Sequence, residues 1–595
     1  MIDDEAMPEV VPPGKSWFGH PRPLALLFST EAWERFGYYG MRALLTLYLV
    51  KHFVFADRVA NGLYGAFTSL VYLTPLVGGL IADRYLGSKK AVKFGAILMS
   101  VGYLTLAFTG GEDAKPNVTI NGQQYQVALE GTGENPTQYV VYNGQNHKIT
   151  GNQDGSISLQ GASGALPATV AKNGYQFGAE RDPLALILLF VSLGLVIVGN
   201  GYFKPNIGTI VGSLYAEGDR RRDVGFTIFY MGINLGSIFS QIAAPWIAAK
   251  YGFKWGFALA GFGMLIAWLR FQFSGKTLEN YGNPPEARPG RDMVIMLISL
   301  VGVPVVWFLL NNAMTSASAA QEASGGGMFA YLLSLPLLGQ IMFAVFVSST
   351  IGFPVWAIVS LKSVDRDRMI VAVALMLFSV VFWTLFEQAG SSLTLFAERN
   401  TDRMINTHIW GNYLMPAGQA QAFNPVFIVV FAPLFSMFWN FMHKRGLEPS
   451  TPFKFAIGLM LVGVGFLALA FGGQFHDADY RVPLMWLVLA YFIHSMGELC
   501  LSPVGLSMIT KLSIPRLVGM MMGMWFLSSA IAQYVGGIVA QFTSTETVGG
   551  QVLNPQVSLQ TYLGVFQTIG YAGIGAGVVL LVIGPLLRRG MHGVN

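Results

Sequence analysis

The sequence predicts an all-α integral membrane protein, and three observations support this. The chain has 595 residues, of which 53% are hydrophobic. Only 12% are charged, compared with about 25% in typical soluble domains. Apolar runs of about 20 residues or more recur along nearly the whole length, and each could cross a bilayer core of roughly 30 Å. These runs are continuously apolar rather than alternating, so helices are expected and a β-barrel is not.

Fourteen spans are predicted, in the order six, two and six. The span at 329–361 is long for a single helix, and we expect Pro336 or Pro354 to kink it. The expected domains are six-helix bundles at 24–273 and 369–588, joined by a linker at 274–368 with two extra helices. The predicted spans are about 24–53, 60–83, 89–110, 184–213, 224–249, 254–273, 292–312, 329–361, 369–397, 420–443, 453–473, 482–510, 517–542 and 560–588.

Lys and Arg cluster in the connections on one side of the predicted spans. Because such clusters mark cytoplasmic loops, we expect both tails, 1–23 and 589–595, to be cytoplasmic and the protein to lie in the inner or plasma membrane. Residues 1–23 are acidic and proline-rich, and they lack the basic start of a cleavable signal peptide. The clusters are Arg84, Lys89 and Lys90; Arg220, Arg221 and Arg222; Lys362, Arg366 and Arg368; His443, Lys444 and Arg445; and Arg588 and Arg589.

Residues 111–183, between spans 3 and 4, differ from the rest of the chain. They are polar, rich in Gly and Asn, and contain short runs of alternating polarity. The dipeptides Asn121-Gly122, Asn143-Gly144 and Asn173-Gly174 are typical of hairpin turns. We therefore expect a small β-rich insert outside the membrane.

Span 1 carries four ionised side chains, Glu31, Glu34, Arg35 and Arg42. At 100° per residue they fall, together with Tyr38, within an arc of about 100°, and Tyr39 lies just outside it. One unpaired charge at the centre of a spanning helix costs about 2.5–3.5 kcal/mol. A charged face of this kind indicates a water-filled cavity between helices and, by default, a functional site.

Five later spans carry polar or charged side chains of the same kind. The first half of the chain supplies the cations Arg35, Arg42 and Lys204, and the second half supplies the acids Glu387 and Glu498. We expect these groups to pair across the two halves and to act as switches rather than as sources of stability. The side chains in later spans are Lys204 beside Pro205, Tyr230, Asn234, Glu387, Asn424 and Glu498.

A cavity with one cationic and one anionic wall suits a ligand with opposite charges at its two ends. Short peptides, with an ammonium and a carboxylate a few residues apart, are such ligands. Aromatic residues at Tyr39, Tyr72, Tyr202 and Trp525 are expected to receive varied side chains. No cofactor or metal is expected, and the net charge of +5 is scattered among short loops, which argues against nucleic acid.

Several segments resemble one known family. The loop at 79–90 (GLIADRYLGSKK) resembles the signature of the major facilitator superfamily. Segments 31–40 (EAWERFGYYG), 203–206 (FKPN), 229–234 (FYMGIN) and 497–503 (GELCLSP) are similar to the proton-coupled oligopeptide transporter family within it. The resemblance covers essentially every span and implies a bacterial type with fourteen helices, although the long insert between spans 3 and 4 departs from the family pattern.

The resemblance also implies roles for individual residues. Arg35 and Lys204 would hold the carboxylate of a di- or tripeptide, and Glu498, Asn234 and Asn424 its amino terminus. Arg42 with Glu387 would form an outer gate, and Lys204 with Glu498 an inner one. Proton coupling would involve Glu31, Glu34, Arg35 and Glu387, and the peptide pocket would also include Tyr39, Tyr72, Tyr230 and Trp525. The expected unit is a functional monomer in the lipid bilayer that imports peptides together with protons.

The same residues bear on three alternative functions. The same fold could carry nitrate or another small anion, although the acidic Glu498 argues against a simple anion site. An enzyme is not expected, because His20, His408, His494 and Cys500 form no cluster in the sequence. A gated channel would lack coupling to a pH gradient.

Overall fold

The computed structural model describes residues 16–109, 114–130, 137–216, 219, 221–284, 286, 288–317, 328–407 and 411–594. Most of the first tail, Arg220 and His408 therefore lie outside the described residues. The helices are α1 (Pro23–Lys51), α2 (Asp57–Ile81), α3 (Ser88–Leu106), α4 (Pro183–Ser213), α5 (Arg221–Tyr251), α6 (Phe253–Ser274), α7 (Pro289–Ser299), α8 (Gly302–Ser316), α9 (Met328–Ser334), α10 (Leu337–Ser360), α11 (Ser363–Phe386), α12 (Ser392–Asn400), α13 (Phe423–Lys444), α14 (Thr451–Gly472), α15 (Leu484–Leu512), α16 (Val518–Gln541) and α17 (Pro555–Gly590).

Each of the fourteen predicted spans coincides with a helix or a helix pair, and the all-α membrane fold is confirmed. In the described part of the chain, twelve helical segments are long and apolar enough to cross a membrane. The two remaining spans are α1 and α3. Helix α1 carries the charged face described above, and α3 begins with Lys89, Lys90 and Lys93, so charged residues interrupt the apolar run in both.

Three of the predicted spans are interrupted, and one of them, 369–397, is divided between α11 and α12 by a 3-10 turn at 387–390. Pro336 stands between α9 and α10, whereas Pro354 lies within α10. Of the two candidate kinks, Pro336 is therefore the one at which the helix breaks, because proline lacks the N–H that would continue the backbone ladder. The span at 292–312 is likewise divided, between α7 and α8.

The insert forms a seven-stranded antiparallel sheet with the strand order β8-β7-β6-β5-β4-β3-β9. Its strands alternate buried and exposed residues, and the buried face includes Val118, Val140 and Ile157. The predicted β-rich insert is thus observed. The strands are β3 (Ala114–Ile120), β4 (Gln123–Glu130), β5 (Thr137–Tyr142), β6 (Gln145–Gly151), β7 (Ile157–Leu159), β8 (Thr169–Val170) and β9 (Tyr175–Arg181).

Two of the three Asn-Gly predictions are correct. Asn121-Gly122 joins β3 to β4 and Asn143-Gly144 joins β5 to β6, and all four residues have positive φ, as a tight hairpin turn requires. Asn173-Gly174 was wrong as a hairpin, because β8 and β9 are not paired and lie at opposite edges of the sheet order. Since only residues 171–174 join these strands, the two edges of the sheet approach one another.

Short strands lie outside the insert. The pairs β1–β2, β11–β12 and β14–β15 are antiparallel, and β10–β13 is parallel. Their bounds are β1 (Ser16–Trp17), β2 (His20–Pro21), β10 (Thr401–Asp402), β11 (Met404–Thr407), β12 (Gly411–Leu414), β13 (Val482–Pro483), β14 (Thr547–Val548) and β15 (Gln551–Val552).

The chain divides into two compact units. Unit 1 comprises 1–41, 71–108 and 190–307, and unit 2 comprises 42–70, 109–189 and 308–595. Helices α1 and α2 each contribute residues to both. The site residues are therefore described unit by unit, with the insert belonging to unit 2.

The loop between α2 and α3 lies in unit 1. Gly87 adopts a φ of 70°, which a glycine tolerates at no steric cost. Lys90 forms an ion pair with Asp292 at 2.6 Å, and Lys89 donates to the Glu279 carbonyl at 2.6 Å. The positive φ accounts for the glycine at position 87, and the two contacts account for Lys89 and Lys90 of segment 79–90.

Candidate functional site

The charged face of α1 in unit 1 is a buried cluster of one base and two acids. Arg35 Nε lies 2.7 Å from a Glu31 oxygen and 2.8 Å from a Glu34 oxygen. The three residues are between 0% and 5% exposed. They meet because positions i, i+3 and i+4 share one face of a helix. Two carboxylates thus share one guanidinium, and the Tyr38 ring lies 5.9 Å from that guanidinium.

Lys204 on α4 adds a second cation to unit 1. Its Nζ lies 4.1 Å from the centre of the Tyr72 ring on α2, a cation–π arrangement. Lys204 is also within electrostatic range of Glu34. Helix α4 continues through Pro205 to Ser213, so the proline does not end the helix. Arg35 and Lys204, the two residues predicted to bind the peptide carboxylate, therefore both interact electrostatically with Glu34.

Three further predicted site residues lie in unit 1. Tyr39 packs edge-on against Tyr38, with the ring centres 5.3 Å apart. On α5, Asn234 donates to the Tyr230 carbonyl at 3.2 Å, and the Tyr230 side chain is 47% exposed. Tyr202 is buried and hydrogen bonds Ser299, so it is a packing residue of α4 rather than an exposed lining residue.

Unit 2 contains the predicted pair of Arg42 and Glu387. The Arg42 guanidinium forms an ion pair with the Glu387 carboxylate and donates to the Tyr64 hydroxyl at 2.6 Å. Both charged side chains are at most 9% exposed. Glu387 begins a short 3-10 turn, 387–390, between α11 and α12. Gly390 in that turn accepts a hydrogen bond from Thr46 at 2.6 Å.

A second polar group of unit 2 joins α13 and α15. Asn424 donates to a Glu498 oxygen at 2.9 Å and to the Ser495 hydroxyl at 3.0 Å. Glu498 is 9% exposed and lies within electrostatic range of Glu387. Trp525 is partly buried on α16. The side chains of Ser502 and Pro503, which belong to the segment 497–503, lie outside the described residues.

Two ion pairs of unit 2 were not predicted from the sequence. Asp57 and Arg399 form a two-pronged pair at 2.5 and 2.6 Å, and Lys51 pairs with Glu398. In the sequence, the signal for these pairs was the acid–base dipeptide Glu398-Arg399, just after the predicted span 369–397. Asp57 lies in a predicted loop, so it was not expected to pair with a residue of that dipeptide. The predicted inner gate between Lys204 and Glu498 would join the two units and stays a prediction.

The arrangement can bind ions and exchange protons. Within the described residues, no set of three His, Cys, Asp or Glu side chains is placed to hold a metal ion. What the residues do provide is buried carboxylates beside guanidinium and ammonium groups. Such groups bind charged ligands and change partners when one of them gains a proton.

Comparison with known protein families matches residues 89–555 to PTR2, the POT family. The chain belongs to the POT family. It is a transporter family, so the chain is not an enzyme. A similar fold is found among solved peptide transporters. A crystal structure of a peptide transporter POT in complex with sulfate has 30% sequence identity and a TM-score of 0.69, covering 98% of each chain.

Curated members of the POT family are similar over nearly their whole length. Dipeptide and tripeptide permease A of Edwardsiella piscicida is 31% identical over 575 residues, which is 96% of each chain. The permease of the same name from Escherichia coli strain K12 is also 31% identical, over 96% of this chain and 94% of its own.

Proposed function

We propose that this chain is a proton-coupled symporter that imports di- and tripeptides by alternating access. The observation that carries the proposal is the buried cluster on α1, in which Glu31 and Glu34 share Arg35. Glu31 and Glu34 compete for Arg35, and Lys204 is a further cation within electrostatic range of Glu34. A proton or a charged end of a ligand can replace one partner in this buried group, and the names of the relatives favour peptides over nitrate.

The peptide is bound by its two charged ends. Arg35 and Lys204 hold the carboxylate, since both are cations near the same acid, Glu34. Glu498, oriented by its hydrogen bond from Asn424, receives the ammonium together with Asn234. Tyr39, Tyr72, Tyr230 and Trp525 contact the side chains of the peptide, and their large apolar faces accept residues of varied shape.

Proton coupling follows from competition for the basic groups. A proton on Glu31 or Glu34 releases Arg35 to bind the peptide, and a proton on Glu387 releases Arg42 and opens the outer gate. An ion pair between Lys204 and Glu498 closes the inner gate while the outer gate is open. Only a difference in proton affinity between the two states can bias the cycle.

The protein lies in the inner or plasma membrane with both tails in the cytoplasm. The support is the asymmetry of Lys and Arg among its loops. The bundles 24–273 and 369–588 are the two moving halves, and the functional unit is a monomer.

Uptake of labelled dialanine into proteoliposomes tests the proposal. With an inward proton gradient we expect accumulation, and without a gradient only slow equilibration. Unlabelled dialanine should compete, and nitrate should not. Equal accumulation of dialanine with and without the proton gradient would refute proton-coupled peptide import. Inhibition of uptake by nitrate but not by unlabelled dialanine would refute it as well.

A further inference from the structure

The short connection between α1 and α2, residues 52–56, is fixed at both ends by ion pairs to α12. Lys51 pairs with Glu398 before it, and Asp57 pairs with Arg399 after it through two hydrogen bonds of 2.5 and 2.6 Å. The Asp57 and Arg399 side chains are 0% and 5% exposed. Removing one partner of such a pair would leave an uncompensated buried charge, so these contacts resist separation.

The β insert fixes the same connection from another direction. Arg181, at the end of β9, donates to the Phe53 carbonyl from Nε and to the Val54 carbonyl from Nη2, both at 2.7 Å. Its guanidinium also lies 4.3 Å from the centre of the Phe55 ring. Burial lowers the pKa of Arg181 to about 10, which still leaves it charged at neutral pH.

Val54 gives an independent sign that this connection is held in place. Its φ is +51°, an unfavourable conformation for a β-branched residue. Such a conformation persists only where surrounding contacts impose it. The two hydrogen bonds from Arg181 are contacts of that kind.

The insert is in turn anchored on the connection between α16 and α17. Val548 of β14 is buried in the core of the sheet, and the Tyr175 hydroxyl donates to Glu546 at 2.5 Å. Asn554 donates to the Gly151 carbonyl at 3.1 Å. The backbone N–H of Thr545 donates to Asp57 at 3.1 Å, so the same acid is held by α12 and by this connection.

We propose that the insert is a clasp that holds the outer half of α1 and α2 against the second bundle. In this proposal Asp57, Arg399 and Arg181 are positioning residues for the closed outer state, added to the gate of Arg42 and Glu387. The inference rests on the proposed alternating access, because it concerns what must separate when the outer side opens. Opening then requires the loss of two layers of contacts, one at Arg42 and one at the clasp.

The rate at which a buried thiol reacts with a maleimide tests the clasp. Thr46 is 1% exposed and donates to Gly390 across the seam that must open, so Thr46→Cys reports brief openings. The native Cys500, buried on α15, serves as an internal control in the same molecule. Labelling at each cysteine is followed by mass spectrometry in proteoliposomes without peptide or gradient, so the result does not depend on the identity of the cargo.

Adding Arg181→Gln should raise the labelling rate at Thr46→Cys about tenfold, since it removes two charge-assisted hydrogen bonds from the closed state. Lys148→Gln, on an exposed position of β6, should leave the rate unchanged. Should Arg181→Gln fail to fold, Arg181→Lys should give a smaller rise in the same assay. An unchanged rate in the folded Arg181 variant, or an equal rise at Cys500, would overturn the clasp, since the latter indicates general loosening.

Discussion

Glu31, Glu34 and Arg35 lie within two turns of α1, and none of them is more than 5% exposed. Because the spacing alone brings these side chains together, the cluster was predictable from the sequence. What the sequence left open was the balance of charge. The structure has both acids within 2.8 Å of the same nitrogen, Arg35 Nε, so neither acid has a cation of its own among these three residues.

At the residue scale, Glu387→Gln should separate transport from its driving force. The amide cannot release a proton and cannot form an ion pair with Arg42. We expect uptake driven by a pH gradient to be abolished, while peptide exchange without a gradient stays measurable in proteoliposomes. Glu448→Gln, at an acid in the connection between α13 and α14 that pairs with Lys454, should retain driven uptake. Full driven uptake by Glu387→Gln would remove Glu387 from the coupling role.

Lys204→Ala should discriminate between peptides by their carboxyl terminus. Since Lys204 is proposed to bind the peptide carboxylate, its loss should weaken binding of dialanine at least about tenfold and of amidated dialanine much less. Binding to the purified protein can be followed by calorimetry. Lys250→Ala, at the end of α5 beside Trp246, is the matched control and should bind both peptides normally. Equal losses for both peptides would exclude this role for Lys204.

At the scale of elements, α2 and α16 approach each other at a pair of glycines. A Cβ added at Gly537 would lie 2.7 Å from the Gly65 Cα and 3.0 Å from the Asn61 carbonyl oxygen. No flexible side chain is available to move aside at these points. Close backbone contact of this type is a common way for membrane helices to pack.

Gly537→Ala should therefore destabilise this helix pair, at a cost of about 1–3 kcal/mol in the free energy of unfolding. The expected result is a lower thermal midpoint for the detergent-solubilised protein. Gly519→Ala lies on the same helix with no atom within 4 Å of the added Cβ, and should leave the midpoint unchanged or slightly higher. If the two variants melted alike, the close approach would not limit stability.

The elements were predicted with unequal success for physical reasons. Spans follow from hydropathy, which is a local property, and all fourteen coincide with helices. The pair of Asp57 and Arg399 depends on the approach of residues 342 positions apart, and no local pattern identifies Asp57 as the partner of Arg399. Asn173-Gly174 has the composition of a hairpin turn, but strand pairing is set by the whole sheet, which leaves β8 and β9 unpaired.

At the scale of the whole molecule, the distribution of Lys and Arg predicts the topology. A cysteine at His592→Cys, near the end of α17, should react with an impermeant maleimide only in inverted vesicles. Lys148→Cys in the insert should react only in intact cells or right-side-out vesicles. The native Cys500 is buried, so its background labelling should be low. Labelling of both positions from the same side would contradict the proposed orientation.

The short connection between β8 and β9 limits how the insert can associate with other polypeptides. An open sheet offers unpaired amides on its outermost strands, and these recruit other polypeptides. Here one outermost strand is only two residues long and the other is joined to it by residues 171–174. The insert therefore presents little free hydrogen-bonding edge with which the strands of another polypeptide could pair.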